Sequence, residues 1–432
     1  MLLSHADILI YDDGGWSVLH DGYIGIEGET IRYVGAKRPF EQYGTEKTLS
    51  GRLLMPGLYN THTHTPMTLL RGVGSGLPLH RWLHEAIFPV EARMKEPDIS
   101  AGTRLALMEM LASGVVSFTD MYDYAHITAA EVVNAGMKAN LNRPLLGFDT
   151  AEPYEKNAHA IASLAFFKEF NGWGGGKIIA DFAIHAEYTS FEGIVRPYAE
   201  DCRRAGARMH LHLSETRREH EECKARHGGR TPTEWFRDLG VLENPTTAAH
   251  CVMAEPKDIE IFMEKGVTCV HNPTSNMKLG SGFMPARAML DAGVNVALGT
   301  DGTASNNNLN LFEEMHLAAL IHCGYREDPT AMQVGEVLRM ATISGAIAQG
   351  RADCGKIAAG NKADIIAVDL NGPHMKPVLD LPALLVYSAQ AADVCMTMVD
   401  GRILYENGEF LTIDRERAER DVQEAAGRLF AK

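Results

Sequence analysis

Short apolar runs, each closing on polar or ionisable residues, recur through the middle of the chain, and this repeat constrains the fold more than any other feature. After "MPGLYNTHTHTPM" (residues 55–67) come "GVVSFTDMY", "GMKANLNRPLL", "KIIADFAIHA", "ARMHLHLSET", "TTAAHCVM", "GVTCVHNPTS" and "GVNVALGTDG". Between them lie segments with helical spacing, such as "DISAGTRLALMEMLASG" and "PARAMLDAG". Eight strand candidates alternating with helices over about 300 residues predict an α/β chain folded as a (β/α)8 TIM barrel. An open doubly wound sheet would gather its polar residues near one switch point, whereas here they close many different strands.

The two ends of the chain read differently. Residues 1–56 and 357–412 carry short alternating runs and tight-turn signals, among them Asp400-Gly401 and Asn407-Gly408. These ends are expected to pair into one small β-sandwich domain, with the barrel (57–356) inserted between them. The last stretch, 413–432, has the pattern of an amphipathic surface helix whose charges mark a solvated face.

Bulk properties exclude several function classes. A formal charge of -15 disfavours a nucleic-acid polymer as partner. No apolar run reaches the roughly 18 residues of a membrane span. The N-terminal stretch lacks the basic region of a signal peptide. Seven scattered cysteines with no C-x-x-C pair fit reduced thiols, so a cytoplasmic location is expected.

Side chains two apart on a strand point the same way. His62 and His64 can therefore both face a barrel mouth, as can His210 and His212, the latter pair followed by Glu215. His250, His271 and Asp301 close the next three strand candidates. Three imidazoles and a carboxylate suit one divalent transition metal, Zn2+ first and Fe2+ as the alternative. His62, His64, His212 and Asp301 are the expected ligands. Such an ion lowers the pKa of a water to roughly 7. Glu215 is then placed to carry protons to substrate, Asp301 to accept one from the water, and His250 to orient it. His210 is either a packed strand residue or a support for a ligand, and His271 reads as structural.

Other hydrolytic signatures are missing. There is no H-E-x-x-H and no G-x-S-x-G. "HAE" at 185–187 lacks the P-C-x-x-C that completes a zinc nucleotide-deaminase site. "NGWGGGK" at 171–177 lacks the P-loop spacing and its closing Ser or Thr.

The chain resembles the amidohydrolase superfamily, and within it the 5'-methylthioadenosine / S-adenosylhomocysteine deaminase family. The likeness runs over nearly the whole length, through "MPGLYNTHTHTPMTLLRG", "WLHEAIFPVEARM", "HLHLSET", "AAHCV", "HNPTSNMKLGSG", "AGVNVALGTDGTASNNNLNLFEEM" and "KADIIAVDL". The resemblance implies a mononuclear metal site, a composite β-domain and a homo-oligomer. It further implies that Glu91 holds the ribose hydroxyls and that His185 touches the nucleoside. It places Arg143 where an arginine meets the amino-acid end of the larger substrate. The chain departs from the family at Ile184 and Glu187, where prolines are usual, at Gly74 and Ser75, where acids are common, and in having Pro144 after Arg143.

The expected reaction is hydrolytic deamination of an adenosine-type nucleoside: 5'-methylthioadenosine, S-adenosylhomocysteine, 5'-deoxyadenosine or adenosine. Two rivals stand beside it. One is a deaminase or chlorohydrolase of a free ring such as guanine, an oxidised purine or an s-triazine. The other is a non-catalytic metal-binding scaffold.

Overall fold

The structure, a computed structural model, describes residues 1–431. It is a mixed α/β fold containing two parallel sheets and a third, nine-stranded sheet. The nine-stranded sheet draws on both chain ends. Arg52–Pro56 pairs antiparallel with Ile365–Asp369, which continues through Val394–Val399 and Arg402–Glu406. On its other side Arg52–Pro56 neighbours Leu2–Asp12, then Gly15–Glu27 and Thr30–Gly35. Leu3, Ile8, Ile24, Ile31, Leu54, Ile365 and Met396 bury together on one side of it. Both turns read from the sequence form: Asp400-Gly401 and Asn407-Gly408 have positive φ at both residues, as a two-residue hairpin turn requires.

The parallel strands follow the repeat. One sheet orders Ile178–Ala180, Lys138–Asn142, Val115–Met121 and Leu58–Thr63. The other orders Asn295–Leu298, Thr268–His271, Thr246–His250, Met209–Leu213, Phe182–Ile184 and Pro144–Leu145. The sheets share two interrupted strands, 138–145 broken at Arg143 and 178–184 broken at Asp181. A strand containing X-Pro loses a ladder donor at the proline, which accounts for the first break. The first and last parallel strands also meet. The Asp301 amide donates to His62 O at 2.9 Å, and Thr61 Oγ1 donates to Leu298 O at 2.6 Å. Gly299 permits this approach, since a Cβ there would lie 2.9 Å from the His62 backbone nitrogen.

Strands and flanking helices share one large apolar core, including Tyr59, Phe118, Phe182, Tyr198, Phe262 and Phe312. Lys138, buried at the start of its strand, joins this core to the nine-stranded sheet. Its ammonium meets both oxygens of Asp364 at 2.8 and 2.7 Å and Asp400 at 2.6 Å. The final helix, Arg415–Phe430, buries Ala418, Ala425 and Leu429 and salt-bridges through Arg428 to Asp98. It is amphipathic, as the sequence pattern predicts. Among the described residues no helix is long and apolar enough to cross a membrane.

Candidate active site

The histidines and Asp301 converge. One ligand atom from each of His62, His64 and Asp301 lies within 4.8 Å of the others, and the same holds for His62, His212 and His250. Asp301 Oδ1 stands 3.1 Å from His64 Nε2 and 3.4 Å from His62 Nε2. The His62 and His212 rings are 4.9 Å apart, and those of His64 and His212 5.5 Å.

Each of the three expected histidine ligands engages one ring nitrogen elsewhere. His62 Nδ1 meets His210 Nε2 at 2.9 Å, His64 Nδ1 donates to Met121 O at 2.6 Å, and His212 Nδ1 donates to His185 O at 2.7 Å. This leaves Nε2 as the free atom, the arrangement that metal-binding histidines use. His62 Nε2 is buried and has no hydrogen-bond partner. Of the two readings its sequence position left open, this contact favours His210 as a support for His62.

Charge fits the same reading. Burial pushes the His62 imidazolium down to about 4 and holds His212 well below the usual range, so both are neutral donors at pH 7. Burial would raise the Asp301 carboxyl, but the His62 and His64 imidazoles beside it hold it well below the usual carboxylate range. Burial opposes the charged form of His64 too, yet Asp301 lifts it to about 9. A proton on His64 is one that a divalent cation would displace, because ligands must be deprotonated. Buried imidazoles around an ionised carboxylate, with the His64 proton given up, make the donor set of a zinc-type site.

Glu215 lies just past the strand of His212, with Oε2 3.9 Å from His250 Nε2 and Oε1 accepting from Ser281 Oγ at 3.3 Å. Burial raises its carboxyl above the ordinary range, which favours a proton-carrying role. His250 Nδ1 meets Asn276 Oδ1 at 2.8 Å and Asn272 Nδ2 at 3.3 Å, and its Nε2 faces Glu215. Ser214, His250 and Asp301 all adopt positive φ, at 48°, 74° and 61°. Such strain in non-glycine residues concentrates at functional sites.

The remaining expected residues flank this centre. The His185 ring lies 5.0 Å from His212, and burial pushes its imidazolium down to about 4. Glu91, at the end of the short helix Phe88–Glu91, accepts from Tyr122 Oη at 2.5 Å. Arg143 stands apart from the histidines and faces Asp123 at 3.5 Å. Glu187, where the sequence departs from the family, is buried and bound by Arg226 at 2.5 Å and His227 at 2.7 Å.

Several supporting residues were missed by reading the sequence. Ser275 and Ser305 donate to Asp301 Oδ2 at 2.7 and 2.8 Å. Glu219 accepts from the amides of Ser214 and Glu215 at 3.0 and 2.7 Å. Its signal was present, since Thr216-x-x-Glu219 is a capping box. Asp120 holds the amide of Thr65, next to His64, at 2.6 Å. The Tyr122–Glu91 bond has no local sequence signal, because it joins residues 31 apart.

Comparison with known proteins agrees with this geometry. The amidohydrolase family profile matches residues 53–404. A 5-methylthioadenosine/S-adenosylhomocysteine deaminase from Pelotomaculum thermopropionicum is 42% identical over 99% of this chain and 98% of its own. A 5'-deoxyadenosine deaminase from Methanosarcina acetivorans is 40% identical over 100% and 99%. The crystal structure of an adenosine deaminase from Xanthomonas campestris with bound zinc superposes with a TM-score of 0.93, at 31% identity, covering 99% of this chain and 98% of its own.

Proposed function

Since this chain belongs to the amidohydrolase family, we propose that it removes the purine 6-amino group of adenosine-type nucleosides by hydrolysis, releasing the inosine analogue and ammonia. The observation that carries this reading is the meeting of His62, His64, His212 and Asp301 beside Glu215 and His250. Relatives that cover the full length and are named for nucleoside deamination support it.

His62, His64, His212 and Asp301 would hold one divalent ion per subunit, with Zn2+ favoured by the zinc-bound neighbour. When bound, the ion supplies Lewis acidity that makes water a competent nucleophile near neutral pH. Glu215 protonates the ring nitrogen next to C6 and makes that carbon electrophilic. Asp301 accepts a proton from the attacking water and returns one to the departing amine. His250 orients the water through its free nitrogen. Glu91 accepts hydrogen bonds from the ribose hydroxyls, His185 touches the nucleoside, and Arg143 meets an amino-acid group at the 5' end when one is present. Each proton carrier needs a pKa brought near the working pH, which burial supplies for Glu215.

We read the two parallel sheets as one closed (β/α)8 barrel over 57–356, supported by the shared interrupted strands and by the contacts between first and last strands. The segments 1–56 and 357–412 form the β-sandwich domain and 413–432, whose last residue lies outside the described residues, the closing helix. A cytoplasmic homo-oligomer that acts on small nucleosides and binds no nucleic-acid polymer completes the proposal.

An absorbance screen tests it, using adenosine, 5'-deoxyadenosine, 5'-methylthioadenosine and S-adenosylhomocysteine, with guanine as control. Deamination of the nucleosides and not of guanine is expected. Ammonia release from guanine alone would favour the free-ring reading, and a protein that binds metal but releases no ammonia would favour the scaffold.

A further inference from the structure

Two segments that follow neighbouring parallel strands bring together side chains the reaction does not use. Glu187 opens the short turn Glu187–Thr189, two residues past His185. Cys223 and His227 belong to the helix Arg217–Arg226 and the residue that caps it, just past Glu215. Among the described residues, these three form the one group of metal-type donors outside the histidine cluster, with one ligand atom from each within 4.8 Å of the others.

The grouping has a local cause. Cys223 and His227 stand four apart, and the His227 amide still donates to Cys223 O at 2.9 Å, so helical spacing turns both to one face. Glu187 meets that face from the other segment, its Oε1 2.7 Å from His227 Nε2. The Trp235 ring stacks on His227 with centroids 4.9 Å apart and holds its plane. Glu187 and Cys223 are buried, while the His227 side chain is 25% exposed, which gives an ion an entry path.

Arg226 neutralises Glu187 at 2.5 Å, so a cation must take its place. Its side chain is 40% exposed and stands 3.5 Å from Glu222, one helical turn back, so a second carboxylate is ready to receive it. Burial pushes the Cys223 thiol up, and the charge of Glu187 adds to that. The thiol proton therefore leaves only when a cation replaces it.

We propose that Glu187, Cys223 and His227 form a second divalent-metal site, separate from the reaction centre and of the zinc type. Binding sends the thiol proton to solvent and leaves a thiolate, a neutral imidazole and a carboxylate, whose two negative charges balance the ion. Three such donors with a water complete a tetrahedron. A thiolate selects Zn2+ over Mg2+ or Ca2+. The ion would tie the turn after His185 to the helix after Glu215, whatever substrate the enzyme takes.

Cobalt reads this site directly. A Co2+–thiolate bond absorbs strongly in the near ultraviolet, and His62, His64, His212 and Asp301 include no sulfur. The full-length protein is produced with cobalt in place of zinc and given excess Co2+. Thiolate absorption at one equivalent per chain is expected, and His212→Ala should retain it. Cys223→Ser should abolish it. His227→Ala should weaken Co2+ binding about 100-fold, at least as much as losing a partner that only orients a ligand, and it serves alone if Cys223→Ser fails to fold. No thiolate absorption in the parent would show an ordinary salt bridge at Glu187 and overturn the inference. Absorption that survives Cys223→Ser, or Co2+ affinity unmoved by His227→Ala, would overturn it too.

Discussion

Tyr122 donates its phenolic hydrogen to Glu91 Oε1 across 2.5 Å, linking the end of the second parallel strand to the short helix that carries the proposed ribose carboxylate. The bond fixes one oxygen of Glu91 and leaves the other for substrate. Replacing Tyr122 with Phe removes a charge-assisted hydrogen bond and frees the carboxylate to rotate. The Tyr122→Phe enzyme should lose about tenfold in kcat/KM for adenosine, chiefly through KM, by analogy with such bonds. Its discrimination between adenosine and 2'-deoxyadenosine should narrow. Steady-state kinetics on the two nucleosides check this.

His210 should control metal affinity without being a ligand. Its Nε2 lies 2.9 Å from His62 Nδ1. Loss of a partner that orients a ligand typically weakens metal binding about 10- to 100-fold. Competitive zinc titration of His210→Ala should show this drop while binding stays stoichiometric. His212→Ala should instead fall below one metal per chain.

Glu219 should matter to turnover although it is outside the cluster. It accepts the amides of Ser214 and Glu215 and so holds the turn that aims Glu215. Glu219→Ala leaves those buried amides without a partner. A displacement of a proton carrier by about 1 Å can cost about 100-fold in rate. The variant is expected to lose one to two orders of magnitude in kcat with metal content retained, measured by metal analysis beside the kinetics.

His322 should make the fold acid-sensitive. It is buried against His271, the two Nε2 atoms 3.1 Å apart, and burial pushes it down to about 4. The ordinary histidine value is about 6.5. Between these values the unfolded chain binds a proton that the folded chain does not, so stability falls as the pH drops through this window. The contribution is about 2 kcal/mol between pH 7 and pH 5. Urea unfolding of His322→Gln at both pH values should show a correspondingly smaller acid loss than the parent.

Lys138 should be a keystone between the sheets. It is buried among Asp364 and Asp400, and Tyr59 Oη also donates to Asp364 at 2.9 Å. Lys138→Met would leave Asp364 without a cation and Asp400 with Lys177 alone, and should destabilise the fold by about 3–5 kcal/mol. Restoring balance with Asp364→Asn should recover part of the loss, read by thermal unfolding.

The repeat of strands and the metal-type donors could be read directly, because strand-end histidines stand two apart and alternation fixes their side. The hairpins at Asp400-Gly401 and Asn407-Gly408 were equally local. The role of His210 was not, since it depends on which neighbour its ring meets across 148 residues of chain. Ser275 on Asp301 escaped for the same reason: it reaches the carboxylate from the short helix Pro273–Lys278 after the preceding strand. Glu91 and Arg143 emerged only through resemblance, as a glutamate in "FPVE" and an arginine before proline look like ordinary surface residues.

The pairing of Arg52–Pro56 with Ile365–Asp369 joins segments made roughly 300 residues apart. During synthesis the earlier strand leaves the ribosome long before its partner exists. Its edge must stay unsatisfied, or be shielded by a chaperone, for most of the time the chain takes to make. A truncated product that stops before Ile365 lacks the strand that completes this sheet.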